Sequence, residues 1–164
     1  MRVDKIFLRM LVATLIWAST SLNAAAAADS GSYKTADGLA VYLGVLPAAM
    51  VQGHPKDHAE EAMHGGVPRG RHAFHVVAAV FDAANGARID DATIEASVTA
   101  HADAAAHIAG VTRRLEPMVI AGTVTYGNYF TMRGDASYRI ALTISRAKTA
   151  GPVNVEFSYD HRTR

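Results

Sequence analysis

Two stretches near the C-terminus alternate with a period of two residues: Tyr138, Ile140, Leu142 and Ile144 share one parity, and Val153, Val155, Phe157 and Tyr159 share another. Only an extended chain puts every second side chain on one side, so both segments predict strands with an apolar face turned to a core. Arg139, Thr143, Asn154, Glu156 and Ser158 take the opposite, polar faces.

The same reading applies upstream. Residues 38–46 are apolar, with β-branched and aromatic members, and are closed by Pro47. Residues 72–81 form a second run, and Asn85-Gly86 supplies a turn signal before a third, 89–100, in which Ile94, Ala96 and Val98 oppose Thr93, Glu95, Ser97 and Thr99. Residues 113–120 and 123–132 follow, with breaks at Gly122, Gly134-Asp135 and Gly151-Pro152. The alanine-rich stretch 101–110 reads as a connecting loop. About seven short strands with turn signals at this spacing predict an all-β fold, an antiparallel β-sandwich of the immunoglobulin-like kind, with a small barrel as the alternative.

The beginning of the chain has a different character. Arg2, Lys5 and Arg9 precede an apolar run from Met10 to Leu22, which passes into Asn23 and an alanine tract ending before Asp29. That order is the pattern of a secretory signal. A membrane anchor needs about 20 apolar residues, and this run is shorter and is interrupted by Ser19, Thr20 and Ser21. The expectation is therefore a signal peptide at residues 1–28 that is removed, no membrane anchor, and one soluble β-sandwich domain at 29–164 in the periplasm.

Removing the signal takes away three basic residues and Asp4, so the formal charge falls from +1 to about −1. No basic excess remains for nucleic acid. Export leads to a compartment where disulfides persist, yet the chain has no cysteine. Any metal site must be built from His, Met, Asp or Glu. All eight histidines lie between His54 and His161, joined by Met50, Met63, Met118 and Met132.

The densest group is His54-Pro55-Lys56-Asp57-His58-Ala59-Glu60-Glu61-Ala62-Met63-His64, within a Gly53 to Gly70 stretch that breaks the strand pattern. If Pro55 opens a short helix, His58 and Glu61 fall at i, i+3 and Glu60 and His64 at i, i+4, which puts ligand pairs on a helical face. Imidazole with carboxylate suits zinc, iron or copper, and thioethers bias a site toward Cu(I). The bland alternative is a polar loop with solvated histidines. His72 and His75 are a second candidate pair, but strict alternation sends them to opposite faces, so one of the two is the expected ligand.

In the third group, Pro117 of Leu115-Glu116-Pro117-Met118 denies a ladder donor and belongs at an edge or bulge, near which Glu116 and Met118 can be aimed at a site. His101 and His107 fit no ligand pattern and are expected to be exposed. His161 either caps an inner face or ends the chain. No activated serine, cysteine nucleophile or phosphate loop is present, so the chain is read as a non-enzyme.

Pro117-Met118, Gly122 and Tyr126-Gly127-Asn128, followed by Tyr138-Arg139-Ile140, resemble the small periplasmic immunoglobulin-like proteins that accompany bacterial high-affinity iron permeases and bind copper or iron. The likeness covers residues 38–47 and 112–160, while residues 85–92 are similar to the turn and strand of YtkA-like domains, another exported group. The resemblance implies a methionine ligand after proline, matched by Met118, and a histidine ligand just before the Tyr-Gly pair, where this chain carries Thr125. It also implies a histidine and an acidic residue from an earlier strand.

The expected function is a periplasmic protein that binds copper or iron and buffers it or delivers it to a membrane transporter or oxidase component. The expected metal residues are His54, His58, Met63, His64, His72, His75 and Met118. A homodimer is compatible with the sequence. The alternative is a metal-free immunoglobulin-like module that docks an envelope complex through a sheet edge or the Gly53–Gly70 stretch.

Overall fold

The computed structural model describes residues 31–51, 63–101, 110–147 and 151–162, and the expected signal at 1–28 lies outside them. The elements run β1 (Tyr33–Ala36), β2 (Leu39–Pro47), a one-turn helix α1 (Ala48–Val51), a 3-10 turn (Met63–Gly65), β3 (Ala73–Asp82), β4 (Thr93–His101), β5 (Val111–Ile120), β6 (Thr123–Thr131), β7 (Ala136–Ser145) and β8 (Val153–His161). Every strand pairing is antiparallel, in the order β1-β2-β3-β6-β5-β4-β7-β8. The eight strands form one nearly closed sheet, with β1 and β8 close to each other but not joined by ladder bonds. Among the described residues no helix is long and apolar enough to cross a membrane.

β5 links the two halves of this sheet. Its residues 111–115 pair with β4, and its residues 116–120 pair with β6. Beyond Leu115 the strand therefore has a ladder on one side among the described residues. Pro117 sits in that stretch, where its missing N–H costs no ladder bond.

The alternation read from β7 and β8 is what builds the interior. Ile140, Leu142, Ile144, Val153, Val155 and Phe157 are buried in one cluster with Val41, Phe74, Val76, Val80, Ile94 and Tyr126. A buried side chain of this size is stabilised by roughly 1.5–3 kcal/mol relative to exposure, so this inner face is the main source of stability. Tyr126 also ties the β3–β4 connection to the core: its hydroxyl accepts from Ala92 N at 3.0 Å and donates to Ile89 O at 3.4 Å.

Two sequence expectations need correction. There are eight strands and not about seven, because Tyr33–Ala36 pairs with β2 through the two-residue turn Asp37-Gly38, whose φ values are 45° and 78°. That dipeptide is a strong hairpin signal, but the strand before it is too short and polar to show a period. Residues 89–100 are not a single strand either. Ile89 N bonds back to Val80 O at 2.9 Å, beside the Phe81–Arg88 bridge, and β4 begins only at Thr93. Ile89 is buried in the core before the chain crosses to the other half of the sheet.

Candidate metal centre

Along β3, Phe74, Val76, Ala78 and Val80 enter the core, so His75 belongs to the outer face. An outer-face residue is ordinarily wet, yet His75 is 0% exposed. Its ladder partner on β6 is Tyr129, and the two rings stack at 4.6 Å between centroids and 29° between planes. Met118, also 0% exposed, shares this outer parity on β5 and pairs with Thr125. Neither Met118 nor Tyr129 belongs to the main core cluster. A second, smaller buried group therefore lies on the outside of the sheet.

Gly127 lies between these side chains. It pairs with Val77 on one side and Glu116 on the other. A Cβ at Gly127 would stand 2.6 Å from His75 Nε2, 2.7 Å from Met118 Cε and 3.2 Å from Met118 Sδ. The imidazole nitrogen and the thioether sulfur thus face the same point, and the missing side chain leaves room for both.

His64 comes from the segment ahead of β3. Its φ of 60° is left-handed, and Gly65 and Gly66 continue at 78° and 95°, a turn that favours glycine because it has no Cβ to clash. The His64 ring lies 5.5 Å from His75 and edge-on to Tyr129 at 5.6 Å. Its side chain is 1% exposed, and Nδ1 is 2.9 Å from Glu116 Oε2.

Among the described residues, His64 Nε2 and both ring nitrogens of His75 are buried without a hydrogen-bond partner. Leaving a buried polar atom unsatisfied costs about 1–3 kcal/mol, so three such atoms in one small group ask for an explanation. Burial, with the imidazole of His64 as the smaller second cause, pushes His75 down from 6.5 to about 4. His75 is therefore neutral at pH 7 and holds an unshared pair, the form that binds a metal. Two imidazoles and a thioether fit a soft or borderline transition metal. Among the described residues no three His or acidic side chains form a cation group, because the third donor here is sulfur and the carboxylate of Glu116 is turned to the far nitrogen of His64.

This arrangement makes metal-free stability sensitive to acid. The folded value for His75 lies below the unfolded one, so between pH 6.5 and about 4 the unfolded chain takes up a proton that the folded chain refuses. The stability contribution is complete above pH 6.5 and is lost as pH falls toward 4. Urea unfolding of the metal-free protein at a series of pH values is expected to show this loss, and His75→Leu to flatten it.

The structure brings His64, His75 and Met118 together. His72 stays apart: it precedes β3, its Nε2 accepts from Arg71 Nε at 3.1 Å, and its carbonyl accepts from Met132 N at 2.9 Å. His54 and His58 lie outside the described residues, and Met63 opens the 3-10 turn beside His64. Thr125, where the resemblance implied a histidine, stands directly across the ladder from Met118. His101 is exposed at the end of β4, and His161 is buried edge-on against Phe74 at 4.8 Å. Sequence reasoning gave no site role to Tyr129, or to Gly127 beyond its place in the Tyr126-Gly127-Asn128 motif. A glycine inside an otherwise β-forming run was the available signal for close packing.

No family model matches the sequence, and no curated protein matches it. Solved structures do match by fold. FetP of uropathogenic Escherichia coli, recombinantly expressed in the periplasm, superposes with a TM-score of 0.60 at 17% identity over 80% of this chain and 93% of FetP. A copper-bound variant of the same protein gives 0.57 at 16% identity over 79% and 93%. A DUF4426 family protein from Pseudomonas aeruginosa gives 0.53 at 11% identity over 79% and 94%. The chain thus shares its all-β fold with FetP and with a DUF4426 protein.

Proposed function

We propose that this chain is an exported, periplasmic copper-binding protein that buffers the metal or hands it to a membrane transporter or oxidase component. The observation that carries this reading is the meeting of His64, His75 and Met118 on the outer face of the sheet, with imidazole nitrogens buried and unpartnered. The fold shared with copper-bound FetP supports it, as does the reading of the eight strands as an immunoglobulin-like sandwich. The protein acts by binding and not by catalysis.

The donor chemistry favours copper over iron. Thioether and imidazole select soft or borderline ions, and Cu(I) above all, whereas iron(II) favours carboxylate oxygen alongside imidazole. The Glu116 carboxylate is held by His64. Copper here is cargo, and His75, Met118 and His64 would hold it.

Equilibrium dialysis of the purified protein against Cu(I), Cu(II), Fe(II) and Zn(II) tests the assignment. Cu(I) is expected to bind most tightly, with a single ion per chain. His64→Ala and Met118→Leu are each expected to weaken it by at least the ~10–100-fold that loss of a supporting contact costs. Stoichiometric iron with no copper, or binding indifferent to both substitutions, would overturn the reading. Capture of the same envelope partners by a histidine-free variant would favour the metal-free docking module instead.

A further inference from the structure

We propose that Glu116 is a positioning residue for copper binding: by accepting a hydrogen bond from His64 Nδ1, it holds that imidazole in the tautomer whose Nε2 lone pair is open to the metal. This rests on the copper-binding reading above and adds to it a residue that makes no contact with the metal.

The three donors are not held in the same way. His75 and Met118 are fixed by their places in β3 and β5, each with a ladder partner. His64 lies outside every strand ladder, in a turn whose backbone is left-handed from His64 through Gly66. Besides its ring contacts with His75 and Tyr129, its side chain is tied to the sheet by a hydrogen bond to Glu116, 52 residues away in sequence. The register explains why that contact reaches the right place. Glu116 pairs with Gly127, the residue over which His75 Nε2 and Met118 Sδ converge.

The proton inventory fixes the direction. A neutral imidazole carries one N–H and one lone pair, and a carboxylate can only accept. With Glu116 Oε2 at 2.9 Å from Nδ1, the proton belongs on Nδ1 and the lone pair on Nε2. Nε2 is the atom of His64 that is buried without a partner among the described residues. A carboxylate behind an imidazole is a common means of setting ring orientation and raising the basicity of the ligating nitrogen. Here the contact is one-sided in exposure: the His64 side chain is 1% exposed and that of Glu116 52%. The carboxylate therefore stays solvated while the ring it orients is enclosed.

Two measurements on the full-length purified protein decide it. In metal-free protein labelled with 15N-histidine, His64 is expected to show a protonated Nδ1 and an unprotonated Nε2, and Glu116→Ala to give a mixture of tautomers. By competition with a Cu(I) chelator, Glu116→Ala is expected to lower affinity about 10–100-fold. Glu116→Gln, whose amide oxygen still accepts from Nδ1, is expected to restore most of it. Combining Glu116→Ala with His64→Ala should cost no more than His64→Ala alone, because the two act as a unit.

Additive losses in the double variant would show that Glu116 acts other than through His64 and would overturn the proposal. An unchanged tautomer in metal-free Glu116→Ala would do the same. If the unaltered protein took up no Cu(I), the copper reading would fall, while the tautomer comparison in metal-free protein would still decide whether Glu116 sets the His64 ring.

Discussion

Gly127→Ala is expected to abolish Cu(I) binding while leaving a folded, less stable protein. The added methyl would fall 2.6 Å from His75 Nε2 and 2.7 Å from Met118 Cε, closer than van der Waals contact allows. Met118 Cε is the end of a flexible chain and can swing aside, but the His75 ring is fully buried and stacked on Tyr129. The methyl thus forces the thioether away from the imidazole and fills the space between them. Overpacking of this kind costs typically about 1–3 kcal/mol.

Gly44→Ala separates the two consequences. A Cβ at Gly44 would meet only the Val77 side chain, at 2.7 Å, so it overpacks the same outer face without touching either donor. It is expected to lower the melting temperature comparably and to retain copper. Thermal unfolding and dialysis of both variants make the comparison. Copper bound with undiminished affinity by Gly127→Ala would place the metal somewhere other than between His75 and Met118.

His75→Leu carries the second large effect, with opposite signs for binding and stability. In the metal-free protein, leucine of similar volume replaces a buried ring whose two nitrogens lack partners among the described residues. Replacing unsatisfied polar atoms by apolar ones removes a desolvation penalty, so metal-free stability at pH 7 is expected to rise by about 1–2 kcal/mol. Copper binding is expected to be lost. A histidine kept for packing or for a structural hydrogen bond would behave in the reverse way, and a drop in stability of several kcal/mol in urea unfolding would sink the metal assignment. The sign of the change thus distinguishes a residue kept for function from one kept for the fold.

Much of the architecture could be read from the residues. Strict alternation in β7 and β8 gave their buried faces correctly, as did Ile94, Ala96 and Val98 in β4, because side-chain parity is a local property of extended backbone. Where the pattern was short, the reading failed. Tyr33–Ala36 has too few residues to show a period, although Asp37-Gly38 marked its turn. Ile89 is apolar and buried like a strand residue, but it bridges to β3 before the chain crosses to β4.

The site was less legible than the fold. His64, His75 and Met118 were all named as candidates, alongside His72, which parity placed on the opposite face from His75 without choosing between the two as ligand. The expected helical face over residues 55–64 does not include His64 as the structure shows it, since that residue sits in a 3-10 turn with left-handed backbone. Tyr129 and Gly127 gained their roles only through ladder register, which sets them opposite His75 and Glu116.

The sequence by itself determined that the chain is all-β, which side chains face the core, and that its polar chemistry rests on histidine and methionine without cysteine. The tertiary structure alone decided which of those histidines meet. The reason is physical. Alternation depends on neighbours two residues apart, so it is written in the chain, and it sets His75 and His72 on opposite faces. Whether an outer face is wet or covered depends on strand pairing and on the return of the His64 segment, contacts between residues far apart in sequence. Those contacts took a position that parity made polar and buried it, beside a sulfur and a second imidazole.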